Sequence, residues 1–233
     1  PRPFRPDFSY PYSIGELKLH TKNVLFSSVI PTATSGERVM ILNSGKEELS
    51  VQTDKLPSYL MAEINPSVLN PGETGEITLL FDGHAAKKPG RYTDNITLNI
   101  SKGGKKVKGK LQVSANLVDD FSRLSATAKA NAPQIQLSST LIDFGVLSDK
   151  GKANQKFKVT NNGKSPLVIH SISCENELVT IQGGKKEIKP GATCTFTVQL
   201  RPKEIKTKLE ALINIVCNDP NGPVRLIKIS ASK

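Results

Sequence analysis

Asn161-Asn162-Gly163-Lys164-Ser165-Pro166-Leu167-Val168-Ile169 repeats, 118 positions on, the pattern of Asn43-Ser44-Gly45-Lys46-Glu47-Glu48-Leu49-Ser50-Val51. Each stretch opens with turn-forming residues and runs into alternating apolar positions, as a turn leading into a half-buried strand does. Three further landmarks recur in the same order. Val24-Leu25-Phe26-Ser27-Ser28-Val29 returns as Ile142-Asp143-Phe144-Gly145-Val146, with the phenylalanines again 118 apart. Asn70-Pro71-Gly72 returns as Lys189-Pro190-Gly191 at a prolyl offset of 119, and Val113-Ser114-Ala115 as Ile229-Ser230-Ala231 at 116. Four landmarks with so little drift mark a duplication.

The rest of each copy reads as short strands. Glu37–Asn43, Glu76–Phe81, Asn95–Ile100 and Lys108–Val113 alternate between apolar and polar residues. Period-2 alternation places Ile96, Leu98 and Ile100 on one face. No long segment carries helical periodicity, so the expectation is all-β. Two tandem immunoglobulin-like β-sandwiches of about seven strands each account for the rhythm. Asn-Gly and Ser-Gly are expected to supply the positive φ of tight turns, and Pro-Gly a type II turn. Phe26 and Phe144 fall at inward positions and are expected to anchor the two cores.

These landmarks divide the chain into a Pro-rich aromatic arm at 1–15, a first sandwich at 16–117, a linker at 118–133 and a second sandwich at 134–233. The linker loses alternation and ends in Ala132-Pro133, with room for a helical turn. Phe121 and Leu124 are placed to pack on either neighbour.

Bulk properties narrow the function. The formal charge is +11, and the densest basic run holds Lys105, Lys106, Lys108 and Lys110 behind Gly103-Gly104. No aromatic residue interleaves the run, so the stacking platform of single-strand binders is missing. It reads as a solvated hairpin tip, and no nucleic acid is expected as partner. No apolar run approaches the roughly 18 residues of a membrane helix. The opening Pro1-Arg2-Pro3 lacks an initiator methionine, which fits a cleaved signal peptide or a lipid anchor upstream.

Cys174, Cys194 and Cys217 all lie in the second copy, at spacings that match no zinc pattern. Buried free thiols are expected, although a Cys174–Cys194 bridge stays open. His20, His84 and His170 stand alone in sequence. Asp219-Pro220-Asn221-Gly222 lacks the remaining oxygen ligands and closing glutamate of a calcium loop and reads as a turn. No catalytic residue, metal or cofactor is called for. Phe8, Tyr10 and Tyr12 in the arm, with the four lysines, are the positions where a partner would dock.

Asp143-Phe144-Gly145, the Val159–Ile169 stretch, Lys189-Pro190-Gly191 and Asn218-Asp219-Pro220 together resemble the bacterial family called domain of unknown function 1573. That family is similar to the hydin and major-sperm-protein type of immunoglobulin-like domain. The resemblance is strongest over 134–233 and looser over 16–117, where the Asp-Phe-Gly and Asn-Asp-Pro signatures are degraded. It implies an exported protein of a Gram-negative envelope, often a lipoprotein, with no assigned activity. Many relatives carry Cys-Gly-Cys where this chain has Ser173-Cys174-Glu175, so a redox or metal pair lacks its second cysteine here. The expectation is a non-catalytic periplasmic or cell-surface protein that binds envelope proteins or serves as a scaffold. An adhesion or carbohydrate-binding module, or a lysine-mediated binder of anionic surfaces or nucleic acid, is the alternative. The absence of tryptophan weakens the carbohydrate reading.

Overall fold

A computed structural model describes residues 9–148 and 153–233. The chain divides into two compact units, one formed by residues up to Lys88 with Tyr92–Asn116, the other by Pro89–Arg91 with Leu117–Lys233. Both are built of two β-sheets, and the fold is all-β as the alternation requires.

In the first unit, β1 (Tyr12–Ile14), β2 (Leu17–Leu19), β4 (Thr34–Asn43), β8 (Thr74–Asp82) and β6 (Leu60–Asn65) make one sheet, in that order. Facing it are β3 (Asn23–Val29), β10 (Lys105–Leu117), β9 (Gly90–Lys102), β5 (Leu49–Thr53) and β7 (Val68–Leu69). The second unit pairs β11 (Ile135–Leu137), β13 (Ala153–Asn161), β17 (Thr193–Leu200) and β15 (Val179–Gly183). Its other sheet runs β12 (Leu141–Val146), β19 (Val224–Ser232), β18 (Lys208–Cys217), β14 (Leu167–Cys174) and β16 (Glu187–Ile188). Four consecutive pairs, β2/β3, β6/β7, β11/β12 and β15/β16, change sheets within a few residues. Counted as single strands that switch sheets, they leave seven per unit among the described residues, with β1 added to the first.

The cores follow the alternation. Leu17, Leu19, Val39, Ile41, Ile77, Leu79 and Leu98 are fully buried in the first unit, where the Phe26 and Phe81 rings lie 5.8 Å apart. In the second, Phe157 and Phe196 stack at 5.2 Å with their planes 13° apart. Phe144 does not mirror Phe26: it is only half-buried, and Ile142 is the fully inward residue of β12. The cause is a register shift between Asp143 and Val146, where Gly145 takes φ +61° and bulges the edge strand.

The turn glycines divide into two kinds. Gly72 and Gly191 take φ +77° and +72° as Pro-Gly type II turns require. Gly45 and Gly163 do not take positive φ, contrary to expectation. Space, not backbone freedom, demands glycine at Gly163, whereas at Gly45 the overlap is with a flexible side-chain end that can shift. A Cβ at Gly163 would overlap the Ala132 carbonyl and the Pro133–Gln134 backbone, and one at Gly45 would overlap the Glu16 carboxylate.

Candidate functional site

The repeated asparagine is buried in both units. Asn43 continues the inward face of Val39 and Ile41, Asn161 that of Phe157 and Val159, and both have zero exposure. Asn43 Nδ2 donates to the Glu47 and Leu69 carbonyls at 2.8 and 2.9 Å, and its Oδ1 accepts from the Gly45 amide at 2.9 Å. Asn161 Nδ2 donates to the Ser165 and Ile188 carbonyls at 2.8 and 2.9 Å, and its Oδ1 accepts from Gly163 at 2.9 Å. Their backbones repeat the match: each carbonyl accepts from the glycine of its Pro-Gly turn, Gly72 at 2.9 Å and Gly191 at 2.8 Å. A buried amide with its donors and acceptor all met holds one geometry and is costly to replace. These residues tie strands together.

The Asn218-Asp219-Pro220 turn between β18 and β19 is likewise a bracket. Asn218 Oδ1 accepts from the Val168 amide at 2.7 Å, and its Nδ2 donates to the Pro166 carbonyl at 3.2 Å. Asp219, with no exposed surface, accepts from the Ile135 and Asn221 amides at 3.0 and 2.9 Å and lies 3.7 Å from the Arg225 guanidinium. Its oxygens serve backbone amides, which explains the motif without calcium.

All three cysteines are free thiols, but only Cys217 is buried as expected; Cys174 and Cys194 are half-buried. Cys217 is buried, and that burial pushes its thiol up to about 11. Burial also raises Cys174. Thiolates are the reactive form, so both are poor nucleophiles. Among the described residues no group of three or more His, Cys, Asp or Glu side chains could hold a metal ion.

The histidines find partners that the sequence does not announce. His20 Nδ1 accepts from the Met40 amide at 2.8 Å, the position where Ser138 Oγ accepts from Lys158 in the second unit. His84 lies 3.2 Å from Asp82 at a four-residue helix, Gly83–Ala86. His170 Nε2 stands 2.7 Å from Asp119 Oδ2, across 51 positions of sequence. The segment after Leu117 packs on the second unit, where Phe121, Leu124, Val168, Asn218 and this His–Asp pair line a cavity of about 460 Å³. The one serine at its wall, Ser165, is hydrogen-bonded to the Asn131 carbonyl.

The expected docking positions differ in exposure, although β1 of the arm lies on the lysine hairpin, with Ile14 against Gly109 and Gly15 beside Val107. Lys105, Lys106, Lys108 and Lys110 are exposed on the β9–β10 hairpin, whose Gly103-Gly104 tip has φ +49° and +80°. Alternation sends Lys106, Lys108 and Lys110 to one face of β10, opposite to inward Leu111 and Val113. Tyr10 is buried at 5% exposure and so is closed to a partner, Tyr12 is 42% exposed, and Phe8 lies outside the described residues.

A different place stands out in the second unit. β16 pairs with β14 only at Leu167 and Val168, and the Ile169 amide donates to the Lys186 carbonyl at 2.7 Å. Beyond that bond, among the described residues, no strand pairs with the outer edge of β14 from His170 to Cys174. Beside this edge a cavity of about 200 Å³ opens between the two sheets. Ile169, Ile172, Ile181 and Phe196 wall it, and Lys185 and Lys186 line its end with no carboxylate among its lining residues. Sequence reading missed it because strand order, not local pattern, decides which edge is left unpaired.

Comparison with known proteins agrees with this architecture. The chain is similar to a protein of unknown function from Porphyromonas gingivalis W83, at 28% identity and a TM-score of 0.80, over 94% of this chain and 100% of that one. Looser likenesses are the YadV chaperone (13% identity, TM-score 0.33, 92% and 99% covered) and PapD-like domain 7 of human CEP192 (12%, 0.38, 46% and 88%). At those scores neither neighbour informs what this chain does. No curated protein matches it. Within the second sandwich, residues 135–231 match the family described as "Protein of unknown function (DUF1573)".

Proposed function

We propose that this chain is a non-catalytic, exported protein of the bacterial cell envelope, acting as a protein-interaction or structural scaffold. In this reading the first sandwich, 16–117, is a diverged copy of the second, 134–233, and both belong to the hydin and major-sperm-protein type. The matching Asn43 and Asn161 networks support the common origin. The observation that carries the binding role is the outer edge of β14, unpaired by any described strand, beside a cavity walled in part by Ile169, Ile172, Ile181 and Phe196. An open strand edge is a template for another chain, and strand addition is a widespread mode of peptide recognition.

The test is affinity capture from an envelope fraction with the intact chain, beside an Ile181→Lys variant that sets a charge on β15 at the cavity wall. Circular dichroism melting first establishes that the variant folds. Partners held by the wild type and lost by the variant support the reading. An identical captured set contradicts it. A second reading, a binder of anionic surfaces, rests on the Lys106, Lys108 and Lys110 row. It requires binding that falls steeply with salt and fails when those lysines are neutralised.

A further inference from the structure

The open edge of β14 is bounded in a way that selects its occupant. From His170 to Cys174 no described strand pairs with its outer side, and the neighbours there are Gly90 and Arg91, whose amide donates to Ser171 Oγ at 2.9 Å and whose guanidinium pairs with Glu175; at Ile169 the edge is taken by the Lys186 carbonyl, and then by β16. A strand laid along β14 therefore cannot continue past Ile169. It has to end there or turn away. At that stop the loop Gly183–Lys186 closes the cavity, presenting Lys185 and Lys186. Gly184, at φ +73°, lets this loop press on the cavity floor, since a Cβ there would overlap the Phe196 ring. The space left is about 200 Å³, and its Ile169, Ile172, Ile181 and Phe196 walls suit one large aliphatic or aromatic side chain. His170 at the rim is already engaged by Asp119, so the ammonium groups are the charges left to meet a ligand.

Resting on the scaffold reading above, we propose that the second sandwich binds the C-terminus of a partner protein. The terminal segment adds as a strand antiparallel to β14, its last apolar side chain enters the cavity, and its carboxylate pairs with Lys185 and Lys186. Charge complementarity fixes the choice of occupant: two cations with no carboxylate among the lining residues stand where an added chain must stop. A terminal carboxylate supplies the missing anion, and the edge amides and carbonyls supply backbone pairing without regard to sequence.

The probe is a pool of hexapeptides, apolar at the last and alternate positions, offered to the full chain as free acids and as C-terminal amides. Fluorescence anisotropy reads binding. The free acids are expected to bind at least about tenfold more tightly than the amides, the size of a lost charge-assisted hydrogen bond. The Lys185→Gln, Lys186→Gln double variant should bring the acids down to the affinity of the amides and leave the amides unchanged, which a merely structural role would not do. Equal binding of acids and amides, binding that survives the double variant, or no binding of either pool overturns the proposal. Should it fail while Ile181→Lys still abolishes capture of envelope partners, the scaffold reading stands without carboxylate recognition. Should capture also be unchanged, both fall.

Discussion

The strands β5 and β14 occupy the same place in their sandwiches and end differently. β5 pairs with β7 at Leu49 and Ser50, and the Val51 amide donates to the Ser67 carbonyl at 2.8 Å. β14 pairs with β16 at Leu167 and Val168, and Ile169 donates to Lys186 at 2.7 Å. Up to this bond the two copies agree. β5 then stops at Thr53, and Asp54-Lys55-Leu56-Pro57 follows, whereas β14 runs on to Cys174. The first sandwich therefore keeps little open edge past Val51, where the second keeps several residues of one past Ile169. The two sandwiches thus agree at their buried hub and differ at their rim, and the rim is where binding is proposed.

The largest expected effect tests the hub. Asn161→Ala leaves the Gly163 amide and the Ser165 and Ile188 carbonyls without their partner, a loss of about 3–5 kcal/mol. Asn43→Ala should cost about the same. The two are separable by probe, because all four tyrosines, Tyr10, Tyr12, Tyr59 and Tyr92, precede the second sandwich. Tyrosine fluorescence in a urea titration should shift for Asn43→Ala and stay in place for Asn161→Ala, while circular dichroism responds to both. A silent variant at either position breaks the equivalence of the copies.

The closing hairpins sharpen the contrast. Asp219→Ala orphans two amides and should destabilise the second sandwich by about 2–3 kcal/mol. Lys106→Ala on the solvated hairpin of the first should stay within about 0.5 kcal/mol. A large loss from the lysine would give that hairpin a structural role it lacks here.

The cysteines all lie in the second sandwich. With Cys217 raised from 9.0 to about 11, its thiolate fraction near neutral pH falls about a hundredfold, and alkylation of the folded chain should slow at least as much. Three thiols should react once the protein is denatured. A count of one would mean a disulfide had formed.

The smallest effect is in pH. The Ser230 hydroxyl, and then the Gly145 amide, hold Asp143 below its usual 3.8. A lowered folded-state value stabilises the fold above the unfolded pKa and is lost as pH falls through the folded one, so this contribution fades below about 3.8. In the first unit, hydrogen bonding to Glu16 raises Lys102, and that contribution is lost only as pH rises beyond the usual 10.5. Asp143→Asn should flatten the acid limb of the second sandwich's melting profile and leave the first unchanged.

Much of this fold is legible in the sequence because alternation and turn residues act locally. The repeat marks two sandwiches, and Gly103-Gly104 and Pro71-Gly72 mark their turns. Asn43 and Asn161 carry a signal too: each falls in the inward register of its strand, where an apolar residue belongs, and a polar residue there has to be bonded. The turn reading of Asn-Gly hides that register. His170 and Asp119 meet only because the segment after the first sandwich folds back on the second, which no spacing encodes. The open edge of β14 depends on strand order across 50 residues and is invisible until the sheets are assembled.

The central claim is tested most directly by placing a photo-activated cross-linking residue in the full chain, in cells, at Ile181 opposite Val198 and separately at the matching Ala62 opposite Leu79. Discrete cross-linked protein adducts at 181, and background alone at 62, are the expected result. Equal adducts at both positions, or adducts at 62 alone, would contradict a scaffold that binds through the open edge of its second sandwich.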